Sequence, residues 1–463
     1  MRKGLFFLLL AFCAAVVVVT VLVVNTVVGP GRLYQPVKQT LSFKPFTLQE
    51  LLSLKIEVDP KTCGKPIRSP RLDKIEERVT KVRELPLQKR IAFRSCTEDV
   101  IRAELEQSSA QDTPPAEVEA DQKLLVALGL IPPKENLAAT LSNVLTEQII
   151  GAYDTDTKDI TIVAGKGVGS TMDELTMAHE ITHGLQDQNF NLTKPPLDSK
   201  NYNGDNDLAV TSLVEGDAMG TMLTYAEKYI DPQKLAEAEL AESDTSSEEL
   251  DKAPAYVRDS LLFPYEEGAN FVEQLKNKKG LAGVDAAFRD PPLSTEQIMH
   301  PDKYITHRDN PRTVDLPDIS DTLGPKWKLI NSDTMGEFDV KAWFEQYDGL
   351  ITANDVATGW GGNTIQYYQG PGKNNVVVNM FTWDTVKDAG EFFKKYSGLL
   401  KKRFNNKVEK AGGDGDWYIY KADGELFYCG IASDATLCVQ ALNQDRLKKV
   451  LSNYPQFPSP TQT

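Results

Sequence analysis

Two of the four histidines in this 463-residue chain lie four positions apart, in the stretch MAHEITHGLQDQ. They are His179 and His183, and Glu180 directly follows the first of them. On a helix, residues four apart lie on one face, so both imidazoles can bind the same zinc ion. Glu180 would then lie beside the metal without binding it, as a general base for water must. The spacing predicts a metal site; the alternative is a pair of buried structural histidines.

A hydrolytic zinc site needs a third protein ligand and one open coordination position. The stretch GLQDQNF after His183 contains no histidine, so a carboxylate on a later helix is the other solution. Glu215 lies in LAVTSLVEGDAMGTMLTY, among apolar and small residues. A carboxylate is costly to bury there unless it is paired or bound to a cation. We therefore predict Glu215 as the third ligand; the alternative is a glutamate at the edge of the core with a salt-bridge partner.

The elements that carry these residues are predicted from spacing and capping signals. The stretch STMDELTMAHEITHGLQDQNF is helical, and Thr171 followed three residues later by Glu174 is a capping-box pattern. A second helix runs from Asp207 to about Tyr229, and DTDTKDITIVAG is typical of a turn and a short strand. Residues 231–255 are acidic and poor in large apolar side chains, which predicts a solvated loop, with a lid as the alternative.

Composition and pattern divide the chain into five regions. These are a membrane anchor or signal peptide over 1–28, a stalk over 29–45, a helical region over 46–128, the mainly helical domain with the histidine helix and a small sheet over 129–310, and a C-terminal domain of mixed strands and helices over 326–455. The predicted fold class is α+β, because strands and helices are mixed without a regular alternation.

The amino terminus has the length and charge pattern of a membrane anchor. No charge interrupts Leu5 to Val24, which is enough to cross a bilayer as a helix. Arg2 and Lys3 precede this run, so the positive-inside rule places the bulk of the chain outside the cytoplasm. Cleavage of a signal peptide at the site Val27-Val28-Gly29 is the alternative, and the protein would then be secreted. The net charge of −15 argues against a nucleic-acid partner.

The cysteines agree with export, because an even number of them follows the anchor. They are Cys63, Cys96, Cys429 and Cys438. Cys429 and Cys438 flank GIASDATL between two strand-like runs, which favours a disulfide in a hairpin and leaves Cys63 to pair with Cys96. No C-x-x-C pair is present among them, so a cysteine zinc site is not expected.

The string HExxH with a later glutamate resembles the gluzincin metallopeptidases, the thermolysin-like superfamily. Longer strings are together similar to a group of bacterial exported proteins named as metallopeptidases: LTEQIIGAYDTDTK, AHEITHGLQDQNF, LVEGDA, LLFPYEEGANFVEQL, DPPLSTEQIMHPDKY and GWGGN, within about residues 75–450. The resemblance implies a zincin-like catalytic domain with a zinc cofactor. It also implies that His179, His183 and Glu215 bind the zinc and that Glu180 is the general base.

The same resemblance implies further roles. Met219 stands where many gluzincins have the aspartate that orients a ligand histidine, so Asp187 or Asp217 is expected to do so. The strand in KDITIVAG would form the edge of the cleft and pair with an extended substrate. His300 is the first candidate for the donor that stabilises the oxyanion, and a structural hydrogen bond in its loop is the alternative. Weaker candidates for that donor are Tyr304, Tyr265, Tyr153 and His307.

The predicted function is that of a membrane-anchored, extracytoplasmic zinc metallopeptidase that acts on a peptide or protein substrate. One alternative is a surface binding or assembly protein in which zinc only braces the fold. Another is a zinc hydrolase of non-peptide amides, such as cell-wall material, because the motif identifies the nucleophile and not the substrate. Neither the oligomeric state nor a role for the C-terminal domain can be predicted.

Overall fold

The computed structural model describes most of the chain from residue 63 onward. The described residues are 63–64, 66–97, 100–101, 115–148, 151–163, 169–198, 203–243, 247–372 and 374–459. The predicted anchor and stalk lie outside them. Within these ranges, no helix combines the length and the apolar character that crossing a bilayer requires. The α+β class is confirmed, with a sheet of three strands and a sheet of seven.

The first half of the described chain is mainly helical. Its elements are α1 Pro70–Arg83, β1 Ala92–Cys96, α2 Pro115–Leu128, α3 Leu137–Gln148, β2 Gly151–Asp154, β3 Asp159–Val163, α4 Thr171–Phe190, α5 Gly204–Tyr229, α6 Pro232–Ser243, α7 Glu248–Lys252, α8 Ala255–Ala287, α9 Thr295–Met299 and α10 Asp302–Ile305.

The second half contains the larger sheet. Its elements are α11 Ser320–Leu323, β4 Lys328–Asp333, α12 Glu337–Asp348, α13 Leu350–Ala357, β5 Trp360–Gln369, β6 Asn375–Trp383, α14 Val386–Arg403, β7 Glu409–Gly413, β8 Trp417–Ala422, β9 Glu425–Ala432, β10 Ala435–Ala441 and α15 Gln444–Leu451.

The small sheet has the strand order β1-β3-β2, with β1 parallel and β2 antiparallel to β3. The expectation that β3 forms the edge of the cleft is therefore wrong, because neighbours on both sides use its backbone groups. Among the described strands of this sheet, β2 is the edge that packs beside α4. β1 also lies inside the region 46–128 that was predicted as helical, where its pairing with β3 outweighs the helical spacing.

Helix α4 begins one residue earlier than the capping signal suggested. Ser170 is the N-cap, and its hydroxyl accepts the backbone N–H of Asp173 while the Asp173 carboxylate accepts that of Ser170. Glu174 instead accepts hydrogen bonds from Arg71, Arg78 and the Tyr225 hydroxyl. The residue that was expected to cap α4 therefore ties it to α1 and α5.

Helices α5 and α8 cross at two glycines with no room for a side chain. A Cβ on Gly216 would lie 2.1 Å from the carbonyl oxygen of Gly268, and one on Gly268 would lie 2.2 Å from that of Ser212. The two backbones are therefore in direct contact. Because Glu215 adjoins this crossing, the close approach helps to place its carboxylate.

The loop that was predicted over 231–255 is instead largely helical, as α6 and α7. Good helix formers dominate this segment, and Lys252 pairs with Glu248 one turn away. Leu250 is 2% exposed and anchors α7 in the core. Low hydrophobicity therefore did not prevent helix formation, because the partly buried Leu235 and Ala238 pack against the core as well.

The large sheet is antiparallel, in the order β4-β5-β6-β10-β9-β8-β7. Its faces follow the alternation of side chains in β6: Phe381 and Trp383 pack with α14, whereas Val376 and Val378 belong to the core under α15. The face under α14 continues into the core that includes Val79 of α1. The division into the domains 129–310 and 326–455 stays a prediction.

The two predicted disulfides have different outcomes. Cys63 and Cys96 form a disulfide, as predicted. Cys429 and Cys438 lie opposite each other on β9 and β10 but are free thiols, with their sulfur atoms 3.1 Å apart rather than at the bonded distance of about 2.0 Å. Both are buried beneath α14, where a thiol packs as a small apolar side chain.

Candidate metal site

Helix α4 is buried on every side around the histidines. All residues from Leu175 to Asp187 are buried, and the helix packs against α1, α5, α6 and β2. A helix buried all round is normally apolar, yet this one carries two histidines, Glu180, Gln186 and Asp187. Buried polar groups must find partners, so the contacts of these side chains show what the helix is built to hold.

Three atoms from α4 and α5 converge. The Nε2 atoms of His179 and His183 are 3.0 Å apart, and Glu215 Oε2 is 3.0 Å from the first and 3.4 Å from the second. The three side chains are at most 2% exposed. His179, Glu180 and His183 also form a group whose ligand atoms lie within 4.8 Å of one another and could hold a metal ion.

The distances fit a tetrahedral ion. Ligand atoms at about 2.0–2.1 Å from a tetrahedral centre are separated from one another by roughly 3.3 Å. Glu215 Oε1 is buried and has no hydrogen-bond partner among the described residues. Such an oxygen is costly to bury, and a cation among the three donors would offset that cost.

The charges in the cluster stabilise each other. Burial alone would favour neutral Glu215, but the charges and hydrogen bonds of His183 and His179 outweigh it and lower the pKa of Glu215. Burial likewise opposes protonation of His183, but the Glu215 carboxylate outweighs that effect and raises the pKa of His183 to about 9. The cluster therefore keeps a buried negative charge and gathers positive charge around it.

A chain of hydrogen bonds orients His183. Its Nδ1 lies 2.9 Å from Gln186 Oε1, while Gln186 Nε2 donates to Val214 O and to Asp217 Oδ2. Because Gln186 Oε1 can only accept, His183 Nδ1 must carry a proton. In neutral His183 the lone pair is then on Nε2, which faces His179 and Glu215.

Asp217 is held in turn by a buried arginine. Arg83 of α1 is 1% exposed, and its Nε donates to Asp217 while its Nη2 donates to Asp285 Oδ1 at 2.7 Å. Burial opposes the charge of Arg83, but the two aspartates outweigh it and raise the pKa of Arg83. Of the two aspartates expected to support a ligand, Asp217 therefore reaches His183 through Gln186.

Asp187 has a different role. Its carboxylate accepts from the Tyr153 hydroxyl at 2.8 Å, pairs with Lys158 Nζ at 2.7 Å and accepts from the backbone N–H of Leu192 at 3.1 Å. These contacts fasten the end of α4 to β2 and to the turn before β3. They do not bring Asp187 to a histidine.

Glu180 faces the edge strand. Its Oε2 accepts the backbone N–H of Tyr153 at 2.7 Å, and the side chain is 2% exposed. This bond holds the carboxylate beside the two imidazoles on the side of β2. A carboxylate in that place can accept a proton from a group at the centre of the cluster.

His300, the first candidate for the oxyanion donor, is bound elsewhere. Its Nε2 lies 2.8 Å from Glu337 Oε1 at the start of α12, and its side chain is 39% exposed. The hydrogen bond to Glu337 raises the pKa of His300. This contact corresponds to the alternative, a structural hydrogen bond in the loop.

Among the other candidates for the donor, Tyr265 has its ring beside that of His179. Its ring centroid is 6.2 Å from that of His179, and it is fully buried on α8. Tyr304 donates to the carbonyl of Asp290, and Tyr153 is engaged with Asp187. Tyr265 also lies one turn before the glycine at the crossing of α8 with α5.

A second group of acidic residues could be taken for a metal site but already surrounds a cation. Glu296, Asp309 and Asp384 lie within 4.8 Å of one another. Lys303 Nζ lies 2.5, 3.0 and 2.9 Å from these carboxylates, respectively. The ammonium group contacts all three carboxylates and offsets part of their charge, which leaves the histidine cluster as the stronger candidate for a metal.

Sequence reasoning did not identify Gln186, Arg83 or the backbone of Tyr153. Gln186 had a local signal, since it lies three residues after His183 and residues at that spacing are neighbours on a helix. Arg83 and Tyr153 had none, because each meets the site through a contact distant in sequence.

One comparison with known proteins gives a match. Residues 327–451 match a family described as Domain of unknown function (DUF8575). The matched stretch begins just before β4 and ends with α15, so it covers the large sheet and its helices. Neither a curated protein nor a solved structure matches the chain. The match therefore concerns the C-terminal region and not the candidate metal site.

Proposed function

We propose that the protein is a zinc metallopeptidase in which His179, His183 and Glu215 hold the metal and Glu180 is the general base. The observation that carries the proposal is the triangle of two imidazole nitrogens and one carboxylate oxygen, with sides of 3.0, 3.0 and 3.4 Å. Hard and borderline donors in this combination suit zinc. The resemblance of the sequence to gluzincins supports the assignment to peptide hydrolysis.

Each residue around the metal would have a separate role in hydrolysis. Held by His179, His183 and Glu215, zinc would supply Lewis acidity for the attack of water on a carbonyl carbon. Glu180 accepts the proton of that water and later delivers it to the leaving nitrogen, while Tyr153 N–H keeps its carboxylate in place. Gln186 holds the tautomer of His183, and Tyr265 is the candidate donor to the oxyanion.

The proposed location is extracytoplasmic, with the chain anchored in a membrane by residues 1–28. The sequence pattern of the first residues supports it. The disulfide between Cys63 and Cys96 also supports it, since such bonds persist in oxidising compartments. A zincin-like fold for residues 129–310 is part of the same proposal.

The burial of the cluster favours a second candidate, a zinc site that only braces α4 against α5. A catalytic site keeps an accessible position, whereas His179, Glu180, His183 and Glu215 are all at most 2% exposed. The protein would then be a binding or assembly protein that uses its C-terminal domain for contact.

Peptide hydrolysis by the full-length protein in detergent tests the proposal. We expect one zinc ion per chain, cleavage of a denatured protein substrate, and loss of cleavage when a chelator removes the metal. Glu180→Gln should retain zinc and lose activity by roughly a thousandfold or more. Glu227→Gln, an exposed glutamate on α5, is the matched control and should behave as wild type.

Three results would count against the peptidase. Activity that survives Glu180→Gln would reject the assigned mechanism. A chain that binds zinc, unfolds when zinc is removed and cleaves neither peptides nor other amides would support the bracing role. A chain that binds no zinc would reject both candidates.

A further inference from the structure

A cavity of about 100 Å³ lies between α2, the start of α5, α8, β4 and the start of α12. Part of its wall is apolar and includes the buried side chains of Leu124, Leu128 and Leu208. None of the four residues of the candidate metal cluster lines it. The cavity is therefore a second concave feature, separate from the proposed active site.

The polar part of the wall is acidic. Four carboxylates line the cavity, from Glu117, Asp121, Asp333 and Asp339, and none of the described residues that line it is basic. Negative groups beside a low-dielectric apolar surface create a potential that attracts cations. The composition of the wall therefore favours a ligand with a positive charge and an apolar part.

Neutral donors orient two of these carboxylates without neutralising them. Asp333 Oδ1 accepts the backbone N–H groups of Gly204 and Thr334, at 2.8 and 2.9 Å. Asp339 accepts the Tyr256 hydroxyl at 2.8 Å and the backbone N–H of Gly336 at 2.9 Å. Burial, together with the charge of Asp333, raises the pKa of Asp339 to about 6. The two carboxylates thus repel each other, and a cation between them would relieve that repulsion.

Asn331 gives an independent sign of a missing partner. It lines the same cavity and is 2% exposed. Its Nδ2 donates to Asp121 Oδ1, but its Oδ1 has no hydrogen-bond partner among the described residues. A buried acceptor left without a donor destabilises the folded state. A ligand that carries N–H groups would supply that donor.

The size of the cavity limits the ligand. An apolar cavity of about 150 Å³ can hold benzene, so about 100 Å³ has room for roughly four or five non-hydrogen atoms. We propose that this cavity binds a primary ammonium group on a short aliphatic chain, with the ammonium beside Asp333, Asp339 and Asn331 and the chain against the leucines. A free alkylamine and the lysine side chain of a peptide both have this chemistry.

Isothermal titration of the full-length protein with n-butylammonium chloride tests the proposal, with 1-butanol as the uncharged control of the same length. We expect saturable binding of one butylammonium per chain and binding of 1-butanol that is at least about tenfold weaker. No binding of butylammonium, or equal binding of the two compounds, would overturn the proposal.

Variants that remove one carboxylate from the cavity wall, compared with a variant of an exposed aspartate elsewhere, provide a second test. Asp333→Asn retains an oxygen that can accept from Gly204 and should weaken butylammonium about tenfold. Asp416→Asn, an exposed aspartate before β8, should leave the affinity unchanged. Asp121→Asn provides a second test if Asp333→Asn does not fold. Unchanged affinity in a folded wall variant would contradict the proposed site.

Two further titrations identify the source of the ammonium group. Binding of N-acetyl-lysine methylamide but not of its norleucine counterpart would support a lysine side chain as the natural occupant. Binding of butylammonium alone would support a free amine. Calcium that binds in the cavity while butylammonium does not would overturn the proposal in favour of a metal site.

Discussion

Two histidine–carboxylate pairs in this protein have similar geometry but different surroundings. His179 Nε2 lies 3.0 Å from Glu215 Oε2, and His300 Nε2 lies 2.8 Å from Glu337 Oε1. Both carboxylates are 1% exposed. A glycine adjoins each of them at a place where a Cβ has no room. Burial of a carboxylate beside a histidine is therefore not enough to distinguish a metal site from a structural contact.

What separates the pairs is the residue next to the histidine in space. His183 lies one turn from His179 and brings a second nitrogen to Glu215, whereas the neighbour of His300 is the ammonium of Lys303. Like charge from Lys303 would repel a metal ion, and His300 is also partly exposed. A second donor at helical spacing therefore converts a histidine–carboxylate pair into a candidate metal site.

Replacement of one partner in each pair, Glu215 in the first and His300 in the second, should give the largest difference in zinc binding. We expect Glu215→Gln to lose roughly a thousandfold or more in zinc affinity, because the ligand charge disappears. His300→Gln should retain one zinc ion per chain. Metal analysis after gel filtration measures both, and equal loss of zinc in the two variants would erase the distinction.

The glycine beside Glu215 offers the next test. In Gly216→Ala the new Cβ would lie 2.1 Å from the carbonyl oxygen of Gly268, so we expect the free energy of unfolding to fall by about 3 kcal/mol. Gly220→Ala, on the same helix, meets only Val272 at 4.0 Å and should gain up to about 1 kcal/mol. Urea unfolding at fixed pH measures both changes. If Gly216→Ala leaves the free energy of unfolding unchanged, the two helices are not in tight contact at this crossing.

The stability of the region around His300 should also depend more strongly on pH than the stability of the region around His179. Burial, with the charges of Asp339 and Glu337, raises the pKa of Asp205 from 3.8 to about 7. The folded state then binds more protons than the unfolded state between these values, so stability falls as the pH rises from about 4 to 7. An asparagine at position 205 cannot titrate. Asp205→Asn should therefore reduce the loss of stability at rising pH by an amount on the order of 3 kcal/mol.

Urea unfolding at pH 5 and pH 8 measures that difference in the wild type and in Asp205→Asn. The side chain of asparagine can still accept the hydrogen bonds that Thr295 donates to Asp205, so the variant is a conservative one. A pH dependence identical in the two proteins would show that Asp205 is ionised alike in the folded and unfolded states.

The smallest effect is expected from the support of His183. Gln186→Leu removes the acceptor for His183 Nδ1, and we expect zinc affinity to fall by roughly 10- to 100-fold. Gln274→Leu, at an exposed position of α8, is the control and should not change it. Competition with a chromogenic chelator gives the affinities. Full zinc affinity in Gln186→Leu would mean that His183 does not need the hydrogen bond to Gln186 in order to bind the metal.

Local patterns predicted several elements because their causes are local. The helix with the histidines follows from spacing and capping, and the helix with Glu215 follows from spacing. The same local reasoning failed where pairing partners are distant in sequence. β1 was predicted as helix, and β3 was expected at an edge although β1 covers its other side.

The sequence alone determined which metal-binding side chains exist and that two of them are four residues apart. That spacing places them on one face of a helix, whose pitch is a property of a few consecutive residues. Only the tertiary structure decided that Glu215 meets them, because the packing of α4 against α5 joins positions distant in sequence. It also decided that Arg83 supports Asp217 and that His300 turns to Glu337. Each of these contacts joins segments that no local pattern links.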